Sequence, residues 1–197
     1  PGTYKPKFPP LQIISSKGYD LDATCRYAYE TNNNAKFIYK DIKTVSPDEI
    51  RTAYGKGSIR VLAGCAPCQP FSSYAFKNKK KDPNKYDLLY EFGRLVKAVH
   101  PDIVTMENVA QILSFKEKPV LSDFENLLKN EGYHVWVNPV YCPDYGIPQT
   151  RKRLVLLASR LGNIELINPT HKPNEYKTVK EKNIPEIVTL TQEADCS

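Results

Sequence analysis

No stretch of this sequence is long and apolar enough to cross a membrane. Its longest apolar runs, such as residues 153–159, fall far short of the roughly 20 residues that a span needs. The first residues also lack the charged-then-apolar pattern of a signal peptide, so the expectation is a cytosolic protein with no membrane partner. Cysteine is sparse: five residues, at 25, 65, 68, 142 and 196. An odd number at irregular spacing does not read as a disulfide framework and fits a reducing compartment. Only one Cys-x-x-Cys occurs, Cys65 to Cys68, with no second pair and no His-x-His cluster near it. That spacing argues against a zinc site, and no metal is expected. Internal repeats and low-complexity tracts are absent as well.

What is present is a chain of 197 residues, 41% of them apolar, enough to bury one substantial core with room for an incomplete second domain. Basic residues outnumber acidic ones 28 to 22, and the pI near 9.0 suits a polyanionic partner without requiring one.

Prolines at 1, 6, 9 and 10 delay any regular element to about residue 11. The pattern then predicts a short strand at 11–14, a helix at 23–31 ending on the Asn32-Asn33-Asn34 turn, and a strand at 36–39. A second strand-helix alternation follows. Residues 59–63 read as a strand, and the stretch from there to Asn84 is irregular and rich in lysine and proline. Leu88, Leu89, Phe92, Leu95, Val96 and Val99 share one helical face, and Pro101 ends that helix. Residues 103–106 read as a buried strand. Val120, Leu121, Phe124, Leu127 and Leu128 repeat the helical spacing up to Gly132, and strands are expected at 134–141 and 154–158. Residues 168–183 are polar, with little to pack, and read as a linker or arm. Short buried strands alternating with helices predict an α/β fold, a mostly parallel sheet with helices on both faces, whose ligands sit beyond the carboxyl ends of the strands.

Three segments fall at or just past expected strands: Gly64-Cys65-Ala66-Pro67-Cys68-Gln69-Pro70-Phe71-Ser72, Glu107-Asn108-Val109 and Gln149-Thr150-Arg151-Lys152-Arg153. In the first, a glycine and two prolines bracket Cys68 in a rigid turn. A free thiol is only slightly ionised at neutral pH, so a nucleophile there needs positive charge nearby, which Arg151 and Arg153 could supply. The plainer reading, a buried small hydrophobe, is preferred for Cys65. For Glu107 the plain alternative is a surface salt bridge. Lys77, Lys79, Lys80, Lys81 and Lys85 form a cluster suited to phosphate contacts, or simply a solvated loop.

In this order and at these separations, the Pro-Cys-Gln, Glu-Asn-Val and Gln-x-Arg-x-Arg segments resemble the motifs of the cytosine-C5 DNA methyltransferases. The resemblance implies a Rossmann-like catalytic domain that uses S-adenosylmethionine, releases S-adenosylhomocysteine and acts on double-stranded DNA, as in bacterial restriction-modification. It implies that Cys68 attacks C6 of the target cytosine after base flipping. Glu107 would act as an acid at N3, Arg153 would contact O2 and Arg151 would stabilise the same pocket, with Asn108 holding the backbone. Asp20 and Leu21 match the ribose and adenine contacts, Asp41 and Ile42 the pair at the adenine edge, and Pro67 and Leu88 the methionine side. Gln69, Ser72, Ser73, Lys79, Lys80 and Lys81 fall in the family's mobile DNA-closing loop.

The resemblance covers about residues 19–159. The family's Phe-x-Gly-x-Gly-Gly turn is not in this sequence: before Gly55 the only glycines are Gly2 and Gly18. Nor do residues after Leu161 resemble a target-recognition region. The expected organisation is therefore a catalytic domain over 1–165 with an incomplete N-terminal turn, and a linker or the start of a recognition region over 166–197. A second subunit carrying that region is compatible with this reading. Two other readings share the motifs: an inactive DNA-binding or regulatory relative, and a tRNA cytosine methyltransferase of the same family. A thiol oxidoreductase built on Cys65 and Cys68 explains neither Glu107 nor the paired arginines.

Overall fold

The computed structural model describes residues 17–65, 87–114 and 119–180. The chain divides into two compact units, Pro1–Ser58 and Ile59–Ser197. The strand expected at 11–14 lies outside the described residues.

In the first unit, β1 (Lys17–Asp20) and β2 (Lys36–Tyr39) pair in parallel, with Gly18 beside Phe37 and Asp20 beside Tyr39. Between them run a 3-10 turn (Ala23–Cys25) and helix α1 (Arg26–Asn33). Asp22 caps the turn by accepting from the Thr24 amide, and Asn34 closes α1 in the left-handed region at φ 48°. The helix lies close over β1: a Cβ on Gly18 would come within 2.3 Å of the Tyr29 ring, so a larger residue there would have to push that ring aside. Phe37 is buried, with the Tyr29 ring edge-on at 6.1 Å and the Arg26 guanidinium 5.6 Å from its centroid. Helix α2 (Pro47–Arg51) opens with a capping box between Ser46 and Glu49 and proline in its first turn. β1 and α2 were not anticipated from the sequence, although Ser46-x-x-Glu49 before Ile50 was a legible start signal.

The second unit carries a four-stranded sheet in the order β3-β4-β6-β5: β3 (Val61–Gly64), β4 (Ile103–Val109), β5 (His134–Tyr141) and β6 (Lys152–Ser159). β3 and β4 run parallel and are joined through helix α3 (Asp87–Val99). β6 inserts antiparallel between β4 and β5. The α/β alternation is as expected, while the described pairings are mixed, two parallel and two antiparallel. The reason is local: β5 and β6 are joined by ten residues, 142–151, enough for an antiparallel return but too few for a crossover helix.

The face of α3 read from the sequence is the buried one. Leu89, Phe92, Leu95, Val96 and Val99 are all at most 5% exposed, each worth roughly 1.5–3 kcal/mol of apolar burial. Phe92 meets Phe124 of helix α4 (Val120–Asn130) at 5.5 Å. At the amino ends of β3 and β4, Arg60 grips Asp102 with its guanidinium and its backbone N–H, and these hydrogen bonds hold the Asp102 carboxyl below its ordinary range. Buried Tyr133 donates to the Pro101 carbonyl at 2.6 Å.

Residues 167–176 remain largely exposed, as a polar stretch with little to pack would, but they are tied down by hydrogen bonds. They lie on the 3-10 turn Cys142–Tyr145 that follows β5. The Asp144 carbonyl accepts from the Thr170 and His171 amides, and Tyr145 donates to the Ile167 carbonyl. Tyr176 donates to the Asp144 carboxylate and sets its ring edge against Tyr141. A seat for His171 is left by Gly146, which has φ 73° and where a Cβ would meet the imidazole at 2.6 Å.

Candidate active site

The candidate site gathers at the carboxyl ends of β3 and β4. β3 finishes on Gly64, opposite Met106, and packs so closely on α3 that a Cβ there would meet the Phe92 ring at 2.7 Å. The next residue, Cys65, leaves the sheet. It is exposed, and its thiol donates to Oε2 of Glu107 at 3.3 Å. This corrects the reading of Cys65 as a buried hydrophobe: the strand ends at Gly64, so the side chain has no sheet neighbour to cover it. Pro67, Cys68, Gln69, Ser72, Ser73, Lys79, Lys80 and Lys81 lie outside the described residues.

β4 alternates strictly, burying Val104, Met106 and Asn108 on one face. Glu107 therefore points to the other face, one residue beyond the last β3 pairing. Asn108 is 1% exposed, and its side-chain oxygen accepts from the Val109 amide at 2.8 Å, which agrees with the backbone-holding role expected of it.

The antiparallel register sets Arg153 opposite Val109, so Arg153 reaches Glu107 along the diagonal of their shared face. Its Nε lies 2.9 Å from Glu107 Oε1. Arg151, just before β6, places a guanidinium nitrogen 3.5 Å from the same oxygen. The Arg151 backbone is fixed on both sides, its N–H donating to the Gln149 carbonyl and its carbonyl accepting from Cys142. Two cations thus hold Oε1, while among the described residues Oε2 carries only the weak thiol donor. The Glu107 side chain is 38% exposed, near the carboxyl end of β4. A carboxyl clamped through one oxygen can exchange a proton through the other without losing its aim. Glu107, Arg151 and Arg153 are therefore brought together.

In the first unit, the expected cofactor residues fall at the ends of adjacent parallel strands. Asp20 is the last residue of β1; its carbonyl accepts from the Lys40 amide, and its Oδ1 accepts from the Asp22 amide at 2.8 Å. Asp41 stands two residues past β2 and caps the turn Ile42–Thr44 by accepting from the Lys43 amide at 2.9 Å. Leu21 is 55% exposed, and Ile42 is half-buried. Leu88, in the first turn of α3, belongs to the second unit and is half-buried.

The fold defines the class, an α/β domain built on a mixed sheet. A solved structure of the Entamoeba histolytica methyltransferase EhMeth superposes with a TM-score of 0.60 at 20% identity, over 78% of this chain and 48% of that one. The chain belongs to the C-5 cytosine-specific DNA methylase family, whose model matches residues 13–195. It is 46% identical over 164 residues to Type II methylase M.HgiDII of Herpetosiphon aurantiacus, covering 83% of this chain and 46% of that protein. It is 32% identical over 170 residues to Type II methyltransferase M.DdeI of Desulfomicrobium norvegicum, covering 82% and 40%. The chain spans 40–46% of the length of these curated relatives.

Proposed function

We propose that this chain carries the base chemistry of a methyl transfer from S-adenosylmethionine to C5 of cytosine in double-stranded DNA. The observation that supports this most is the Glu107 carboxylate, held through one oxygen by Arg151 and Arg153 beside the strand end that leads into Pro67-Cys68-Gln69. Cytosine C5 is a weak nucleophile. A Cys68 thiolate adding to C6 makes it a strong one, provided the electron pair displaced toward N3 is met by a proton, which Glu107 supplies. C5 would then take the methyl group of the bound S-adenosylmethionine, whose methyl–sulfur bond would break to leave S-adenosylhomocysteine. The C5 proton leaves to a base, the C6–S bond breaks, and the N3 proton returns to Glu107, restoring the thiolate and the acid. Arg153 would also meet the base at O2. The charge that collects on the pyrimidine is stabilised by cations already in place.

The residues proposed for the cofactor suit a nucleoside. The Asp20 carboxylate can accept from a diol, Asp41 can accept from an exocyclic amine, and exposed Leu21 can cover a flat ring. S-adenosylmethionine, when bound, supplies an electrophilic methyl group. Gln69, Ser72, Ser73 and Lys79 to Lys81 are proposed to position DNA phosphates while the base is swung out of the stack.

A mixed-sequence duplex with 5-fluorocytosine at every cytosine tests this reading. Fluorine cannot leave C5 as a cation, so the C6–S bond persists. With S-adenosylmethionine present, mass spectrometry of the digested protein should find the methylated fluorinated base on the peptide containing Cys68. An adduct on another cysteine, or none, would sink the proposal.

A further inference from the structure

Residues 167–176 contribute no group to the site just described, yet they hold the segment that does. The connection is continuous. Tyr176 donates to the Asp144 carboxylate, and the Asp144 carbonyl accepts from Thr170 and His171. Asp144 sits in the turn Cys142–Tyr145, whose first amide donates to the Arg151 carbonyl at 2.9 Å. Ile147 donates to the Cys142 carbonyl, Gln149 to Ile147, and Arg151 to Gln149 at 2.7 Å. The backbone of Arg151 is thus set by the turn, and the turn is set by the arm. Arg153 differs: it lies inside β6, paired with Val109 on one side and Val140 on the other.

We infer that Asp144 and Tyr176 are positioning residues for Arg151, clasping the 142–151 connection so that this arginine, more than Arg153, stays aimed at Glu107. This rests on the methyl-transfer reading above. The Tyr176 hydroxyl remains a donor throughout the working range, because its hydrogen bond to Asp144, with burial and the carboxylate charge adding to it, pushes its pKa up to about 12.

Tyr176→Phe keeps the ring against Tyr141 and removes only the donor. Turnover is measured in the full-length gene product with tritiated S-adenosylmethionine, per site trapped by the 5-fluorocytosine duplex, so that misfolded protein is not counted. The expected result is a kcat about tenfold lower with KM for DNA unchanged, the scale of a modest misplacement of one catalytic contact. In an Arg151→Lys background the same change should cost little, because the contact is already disturbed; in an Arg153→Lys background it should again cost about tenfold. Trypsin should also cut faster at exposed Lys177 and Lys180 in Tyr176→Phe than in the wild type. Unchanged kcat, equal costs in the two arginine backgrounds, or unchanged proteolysis overturns the inference while leaving the methyl-transfer reading intact. A wild-type protein that traps no base and transfers no methyl overturns both.

Discussion

Gly64→Ala changes one hydrogen to a methyl group at the residue that ends β3 and begins the path to Cys68. The new Cβ would stand 2.7 Å from two atoms of the Phe92 ring and 2.9 Å from a third. Comfortable carbon contacts lie at about 3.5–4.0 Å, so the overlap is roughly 0.8 Å or more. Phe92 cannot swing away cheaply, being 5% exposed and backed by the Phe124 ring at 5.5 Å. Either α3 or the end of β3 must move, and overpacking of this kind costs about 1–3 kcal/mol. Urea unfolding followed by circular dichroism should show a lower midpoint at an unchanged slope. Methyl transfer should fall further than stability, because a shifted strand end carries residues 65–68 with it; a displacement near 1 Å is worth up to about a hundredfold. Phe92→Leu makes room for the methyl group. The double variant should therefore be less destabilised than the sum of the single changes by more than about 0.5 kcal/mol. If Gly64→Ala unfolds at the wild-type midpoint, or if the two changes simply add, the packing argument is refuted.

Glu107→Gln keeps the shape of the side chain and removes the proton it would deliver, so kcat should fall by about a hundredfold to ten-thousandfold while the fold remains. A rate within a factor of a few of wild type in the tritium assay would remove Glu107 from the chemistry. In the first unit, Lys40 donates to both oxygens of Glu49 and the Ser46 amide to one, which holds the Glu49 carboxyl at about 2. Because the folded value lies below the ordinary 4.5, the stabilisation is complete above pH 4.5 and disappears as the pH falls from there to about 2. The urea midpoint should drop between pH 6 and pH 3, and Glu49→Gln should show a smaller drop. An equal drop in both proteins would assign the acid sensitivity elsewhere.

Much of this was legible in the sequence, for identifiable reasons. Residues 36–39 and 134–141 are the strands expected, and α3 buries the face that its 3.6-residue period marks, because burial at those positions is what periodicity encodes. Glu107, Arg151 and Arg153 were named from motifs far apart in the chain, and the antiparallel β4–β6 register brings them together. β1 was missed because Lys17-Gly18-Tyr19-Asp20 has no apolar alternation and gains its place only by pairing with β2. The contact between Cys65 and Glu107 depends on where β3 stops, a boundary expected one residue early. The seat for residues 167–176 was invisible because its bonds run from backbone amides and polar side chains to one turn, leaving no hydrophobic period to read.

The central claim is that Cys68 forms the bond to cytosine, and the most direct test compares wild type with Cys68→Ser in tritium transfer to a mixed-sequence duplex. Wild type should place the label on C5 of cytosine, and the serine variant, lacking the thiolate, should lose about a thousandfold or more. Transfer by Cys68→Ser at the wild-type rate would contradict the account.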